Sequence, residues 1–170
     1  GGTHDQFFSY RIDFDIDGVD NNFVRQRLQT VTQPSDATRQ GVWGVTREAV
    51  KSEQQAQTVM QVDKPALLTF SSSASKNAMG YDTSYQLMFP NMRPLVTLDD
   101  PIYQRAGFLK NNLWVTKYKR DELFSSGIAV NQSAPGVGLP HYAGNNDVLE
   151  DSDLVAWPTI GFHHVPMAED

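Results

Sequence analysis

The sequence predicts an all-β fold: a large β-sandwich with long loops and one short helix. Three observations lead there. The opening run over residues 4–18 alternates with period two, the repeat of a strand. Several later runs rich in β-branched and aromatic residues are bounded by clusters of Gly, Pro, Asn and Asp. Helix-start chemistry stands out at a single place, Asp100-Pro101.

In a strand, the opening run puts His4, Gln6, Phe8, Tyr10, Ile12, Phe14 and Ile16 on one face. Asp5, Phe7, Ser9, Arg11, Asp13, Asp15 and Asp17 take the other. A turn cluster, Asp17-Gly18-Val19-Asp20-Asn21-Asn22, closes it. Residues 22–40 are polar and read as an extended excursion. Residues 42–50 and 57–62 read as strands, joined by the acidic-polar stretch 48–55. A short strand follows over 65–70, then a serine-rich loop over 71–76. Residues 83–89 alternate well and read as a strand. Asp100 as N-cap with Pro101 at the first helical position starts a helix over 101–109. The run Leu113-Trp114-Val115-Thr116-Lys117-Tyr118 is a strong strand, 127–146 is a Gly-, Pro- and Asn-rich loop, and 153–162 is the closing strand, ending at His163-His164. No internal repeat and no domain boundary is visible, and many short strands with irregular connections favour a sandwich.

At 170 residues the chain is one domain or part of a larger one. A net charge of −6 without a Lys/Arg stripe argues against a nucleic-acid backbone as partner. The densest basic cluster, Lys117, Lys119 and Arg120, reads as a solvated strand end. The absence of cysteine excludes disulfides, zinc–thiolate sites and thiol catalysis. No apolar stretch approaches the roughly 20 residues that span a bilayer, so no membrane partner is expected.

Two constellations carry chemistry. His4 and Gln6, at i and i+2 of a strand, point the same way, and His164 is the candidate third ligand from a distant strand. Imidazole suits copper, zinc, iron and nickel; the amide oxygen of glutamine is a weaker donor. On spacing alone, these histidines read more readily as ordinary buried or edge side chains. Asp13-Phe14-Asp15 and Asp151-Ser152-Asp153 supply the hard oxygens that calcium prefers, or else form a solvated acidic face. Asn131-Gln132-Ser133 fits a glycosylation acceptor, a match of little weight in an Asn- and Ser-rich chain.

Five stretches in order resemble the carboxy-terminal catalytic domain of the copper-containing, topaquinone-dependent primary amine oxidases. They are residues 4–18, the 113–118 strand, the 131–142 loop with Gly138-Leu139-Pro140, residues 153–157, and Gly161-Phe162-His163-His164-Val165-Pro166 with Glu169-Asp170. The resemblance covers nearly the whole chain. It implies copper held by His4, by Gln6 in the place of a second histidine, and by His164. It also implies a peripheral calcium-type site from the carboxylates of Asp13, Asp15 and Asp153 and the carbonyls of Phe14 and Leu154. A further surface metal site of some members would fall near Glu53, Tyr142, Asn145 and Asp147; its carboxylates are only partly retained, and it is not carried over. The precursor tyrosine of topaquinone and the catalytic base lie upstream of the copper strand in the family, so neither is assigned to a residue here.

The expected activity is the oxidative deamination of primary amines to aldehyde, ammonia and hydrogen peroxide, with a primary amine and O2 as reactants. The resemblance also implies a homodimer and a secreted or peroxisomal compartment. Residues 1–170 are then part of a single β-sandwich catalytic domain, truncated at both ends. Its companion would be the remainder of the same polypeptide or a second chain. Gln6 keeps open a relative with a degraded copper site, impaired or repurposed. A free-standing calcium-stabilised sheet module is a third reading.

Overall fold

The structure is a computed structural model and describes residues 2–36, 38–89, 99–129 and 134–168. Among these residues there are two four-stranded antiparallel sheets. The first holds β1 (His4–Ser9), β2 (Ile12–Phe14), β7 (Leu113–Lys117) and β8 (Leu154–His164), with β8 as the shared partner. The second runs in the order β4 (Gly41–Val50), β3 (Asn22–Thr32), β5 (Ala66–Lys76), β6 (Asp82–Leu87). Their facing sides make one core that includes Phe23, Leu68 and Phe70 from the second sheet and Leu113, Val115, Leu154 and Ala156 from the first. Phe14 and Phe23 stack on Phe70, with ring centroids 4.3 and 4.8 Å apart. The all-β sandwich expected from the alternation is therefore the fold observed.

The opening run is a strand in two pieces. The ladder lapses at Tyr10 and Arg11, yet one register carries through from His4↔His164 to Phe14↔Leu154. Tyr10 still donates its N–H to the Pro158 carbonyl at 2.9 Å. Proline at 158 has no N–H to return, which thins the ladder there. Because the register is unbroken, the sorting of odd and even residues onto opposite faces survives the gap. The turn follows as expected. Asp17 and Gly18 have φ of 53° and 117°, and the Asn21 amide accepts from the Ile16 N–H and donates to the Ile16 carbonyl.

The second sheet departs more from expectation. The polar excursion is β3, an 11-residue strand at the interior of the sheet. Its buried arginine finds its partners within the protein. Buried Arg25 donates to Glu48 at 2.7 Å, to the Thr58 hydroxyl at 2.7 Å and to the Gln55 carbonyl at 2.9 Å. The serine-rich stretch likewise continues β5, where Ser71 and Ser72 are buried and Ser75 meets the Thr83 hydroxyl at 3.0 Å. Conversely, residues 57–62 form no strand beyond a single bridge, Thr58↔Leu113. Their backbone groups are taken by side chains: the Met60 N–H by Asn112, and the Gln57 carbonyl by Arg25.

The expected helix is present but divided. Asp100 accepts from the Ile102 N–H at 2.9 Å, starting one α-turn, Ile102–Arg105. Ala106, at φ −116° and ψ 59°, breaks it before a 3₁₀ turn over Gly107–Lys110. Single α-turns also form at α1 (Glu53–Ala56) and, inside the Gly-rich loop, at Leu139–Tyr142, which continues as 3₁₀ over Ala143–Asn145. These last turns cover the outer side of the first sheet, where Trp114, Leu139, Ala143, Val155 and Trp157 form a second core. Trp157 donates its indole N–H to the Thr116 hydroxyl at 2.9 Å. Asn131–Ser133 lie outside the described residues. Among the described residues no helix is long and apolar enough to cross a membrane.

Candidate metal centres

The first and last strands of the chain lie side by side, and their register sets His4 directly opposite His164. Opposed residues in an antiparallel pair project to the same side, so the two imidazoles meet edge to face with ring centroids 4.8 Å apart. Gln6, two residues on, shares that face, and its amide N–H reaches the His4 Nε2 at 2.9 Å. An amide nitrogen can only donate, so Nε2 carries the lone pair. The proton then belongs on Nδ1, which donates to the Gly2 carbonyl at 2.9 Å. That tautomer is the one a metal needs at Nε2. The donor set fits a copper-type ion: two converging imidazoles and an amide whose oxygen can be turned inward. All three residues are exposed at the end of the ladder, next to the exposed rings of Phe8 and Phe162.

His163 faces the other way. Its Nδ1 lies 2.6 Å from the Asp5 carboxylate, across the next rung of the same two strands. Sequence reasoning placed one histidine of the doublet at the metal face and left the other without a role. The strand pairing was the missing information: once His4 opposes His164, Asp5 must oppose His163.

Farther along the same ladder the odd-numbered face carries the acidic constellation. Asp13, Asp15 and Asp153 each offer a carboxylate oxygen, and those oxygens lie within 4.8 Å of one another. One Asp153 oxygen is buried without a hydrogen-bond partner among the described residues. Partial burial pushes the Asp153 carboxyl up, and the Asp13 and Asp15 charges push it the same way. The cluster thus concentrates negative charge beside a partly buried carboxylate, which suits a hard cation. Phe14 and Leu154, whose carbonyls the resemblance adds to the set, form the rung beside it. Asp151 does not join; it accepts from Asn22 at 2.8 Å and from Ser73 at 3.2 Å.

A third group, Glu53 with Asp147, falls where the resemblance suggested a further surface metal site, and its burial is what the sequence did not reveal. Glu53 is 1% exposed. One carboxylate oxygen accepts the Asp147 N–H at 2.9 Å and the other is buried without a hydrogen-bond partner among the described residues. Desolvation pushes its carboxyl up to about 8, with the nearby Asp147 charge adding to the effect. Lys119 sits 2.7 Å from Asp147, and that hydrogen bond holds the Asp147 carboxyl below its usual range. A carboxyl whose folded pKa exceeds its unfolded value of 4.5 favours the fold while protonated. Its contribution is complete below the unfolded pKa and disappears as pH climbs to about 8. The wild-type protein should therefore lose stability across that interval, by a few kcal/mol from this group, while Glu53→Gln flattens the slope. Denaturant midpoints at the two ends of the interval measure it, and equal losses in both proteins would refute the assignment.

Comparison with known proteins gives one consistent family. The family model described as copper amine oxidase, enzyme domain, matches residues 1–170. A peroxisomal copper-containing amine oxidase, alpha 2, of Arabidopsis thaliana is 34% identical over 173 residues, covering 100% of this chain and 25% of the relative. A primary amine oxidase of Pisum sativum is 34% identical over 173 residues with the same coverage. The crystal structure of a copper-containing benzylamine oxidase from Hansenula polymorpha aligns with a TM-score of 0.80 at 26% identity, covering 99% of this chain and 27% of that one. The chain spans about a quarter of the length of these relatives.

Proposed function

The chain belongs to the copper amine oxidase family, and from that premise we propose that it is part of a copper- and topaquinone-dependent primary amine oxidase. The observation that carries the reading is the His4↔His164 rung, with Gln6 on the same face of the same strand. The proposed copper ligands are His4, Gln6 and His164. The proposed calcium-type ligands are the carboxylates of Asp13, Asp15 and Asp153 and the carbonyls of Phe14 and Leu154. When bound, copper and topaquinone supply the redox chemistry by which a primary amine, O2 and water become aldehyde, ammonia and hydrogen peroxide. Topaquinone would derive from a tyrosine outside this chain, and the proton-abstracting base would be an aspartate that also lies outside it.

The chain's own residues would hold and orient. The Gly2 carbonyl keeps the proton on His4 Nδ1 and leaves Nε2 open to a metal. Gln6 has two tasks in conflict: its N–H occupies that lone pair, and its oxygen must be turned inward to serve as a ligand. The exposed apolar rings beside the site, Phe8, Tyr10 and Phe162, suit coverage by a second copy or by the rest of the polypeptide, in keeping with a homodimer.

A second reading is favoured by Gln6 itself. An amide that caps the metal-binding nitrogen of His4 is also what a relative that has lost its copper would carry, an impaired or repurposed amine-oxidase-like protein. The intact protein decides between them. Copper near one equivalent per chain, a quinone absorption band and peroxide release from a simple primary amine such as benzylamine are the expected results. Absence of copper with an unmodified tyrosine would overturn the first reading in favour of the second.

A further inference from the structure

The geometry points to Asp5 and His163 as a positioning pair that holds the His4–His164 rung in register from the opposite face of the sheet. The inference rests on the copper reading above. The two residues touch no ligand position directly. Their side chains lie on the reverse side of β1 and β8, one rung in from the histidines.

Three features give the pair its role. First, β1 is only six residues long, and His4↔His164 is its terminal rung. End rungs open most readily, because ladder bonds support them from one side only. Second, His163 and His164 are adjacent, so Asp5 could pair with either if the strands slid by one residue. A one-residue slip turns every side chain to the other face. The bond from His163 Nδ1 to Asp5 at 2.6 Å belongs to the register that sets His164 opposite His4. Third, the Asp5 and His163 side chains are 48% and 37% exposed, so their bond adds little to global stability. Its effect should fall on geometry at the strand end rather than on the melting temperature.

The test uses the intact protein with Cu(II) alone as probe. Asp5→Ala and His163→Ala should each weaken copper binding roughly tenfold, the lower end of the range seen when groups supporting metal ligands are lost. Each should alter the hyperfine pattern of the Cu(II) electron paramagnetic resonance spectrum, because the ligand geometry changes. The melting temperature should shift by less than about 4 °C, as an exposed pair of this kind implies. Asp5→Asn keeps a hydrogen-bond acceptor without the charge and should retain affinity within about twofold. The double Ala variant should be no weaker than either single one, since both remove the same bond. A metal-free readout accompanies these: amide exchange at the end rungs of β1 and β8 should quicken in Asp5→Ala and not in Asp5→Asn.

Unchanged affinity, spectrum and exchange in both Ala variants would overturn the inference. So would Asp5→Asn losing as much as Asp5→Ala, which would make the effect one of charge. If the wild-type protein takes up no copper, the copper reading fails. The exchange measurement then decides by itself whether the pair holds the rung.

Discussion

Gln6→His raises the copper affinity of the intact protein by roughly 100-fold. Loss of a group that merely supports a metal ligand costs about 10–100-fold, so exchanging a ligand itself belongs at or beyond the top of that range. Two effects add in the same direction. A neutral amide oxygen is replaced by an imidazole nitrogen, a better donor to Cu(II). The substitution also removes the amide N–H that now occupies the His4 Nε2 lone pair at 2.9 Å. Competition against a copper chelator of known affinity measures the change, with metal content after dialysis as a second readout. Wild-type protein that already holds a full equivalent of copper through dialysis would show that Gln6 is no defect, and the expected gain would vanish.

Calcium should raise the unfolding midpoint, and the rank of Asp153→Asn against wild type should reverse between chelator and calcium. A cation bound only by the folded state stabilises it by about 2.7 kcal/mol at a free concentration 100 times its Kd. In a domain of 150–250 residues that is a rise of roughly 5–10 °C. Without metal the Asp13, Asp15 and Asp153 carboxylates crowd together, each offering an oxygen within 4.8 Å of the others. Removing one charge then relieves repulsion, so Asp153→Asn should melt above wild type in a chelating buffer. In calcium the order reverses, because the variant has lost a charged ligand. Scans of both proteins in calcium and in chelator read the crossing. Parallel shifts, or none, would return the cluster to the status of a solvated acidic face.

Much of this is legible in the sequence. Alternation in the opening run sorts His4 and Gln6 from Asp5, Asp13 and Asp15, and the observed register preserves that sorting across the gap at Tyr10 and Arg11. The strands around Trp114 and Trp157 announce themselves because both faces of that sheet are buried. The strand β3 did not. Its Arg25, Gln26, Arg27 and Gln29 read as part of a polar, extended excursion, and only the neighbouring strands reveal that Arg25 is buried against Glu48 and Thr58. The serines of β5 hid in the same way. Residues 57–62 misled in the opposite sense: their alternation is real, but side chains of Arg25 and Asn112 take the backbone bonds a ladder would have used.

The candidate sites divide along the same line. Period-two alternation is a property of the backbone, so the sequence alone determined which side chains share a face of each strand, and with them the residue types available to a metal. Which strand lies alongside, and in what register, depends on the packing of two sheet faces that are distant in the chain. That packing decided that His4 meets His164 while Asp5 meets His163. It also buried Glu53 deeply enough to carry its carboxyl to about 8, a shift that comes from lost solvent and not from any neighbour in the sequence.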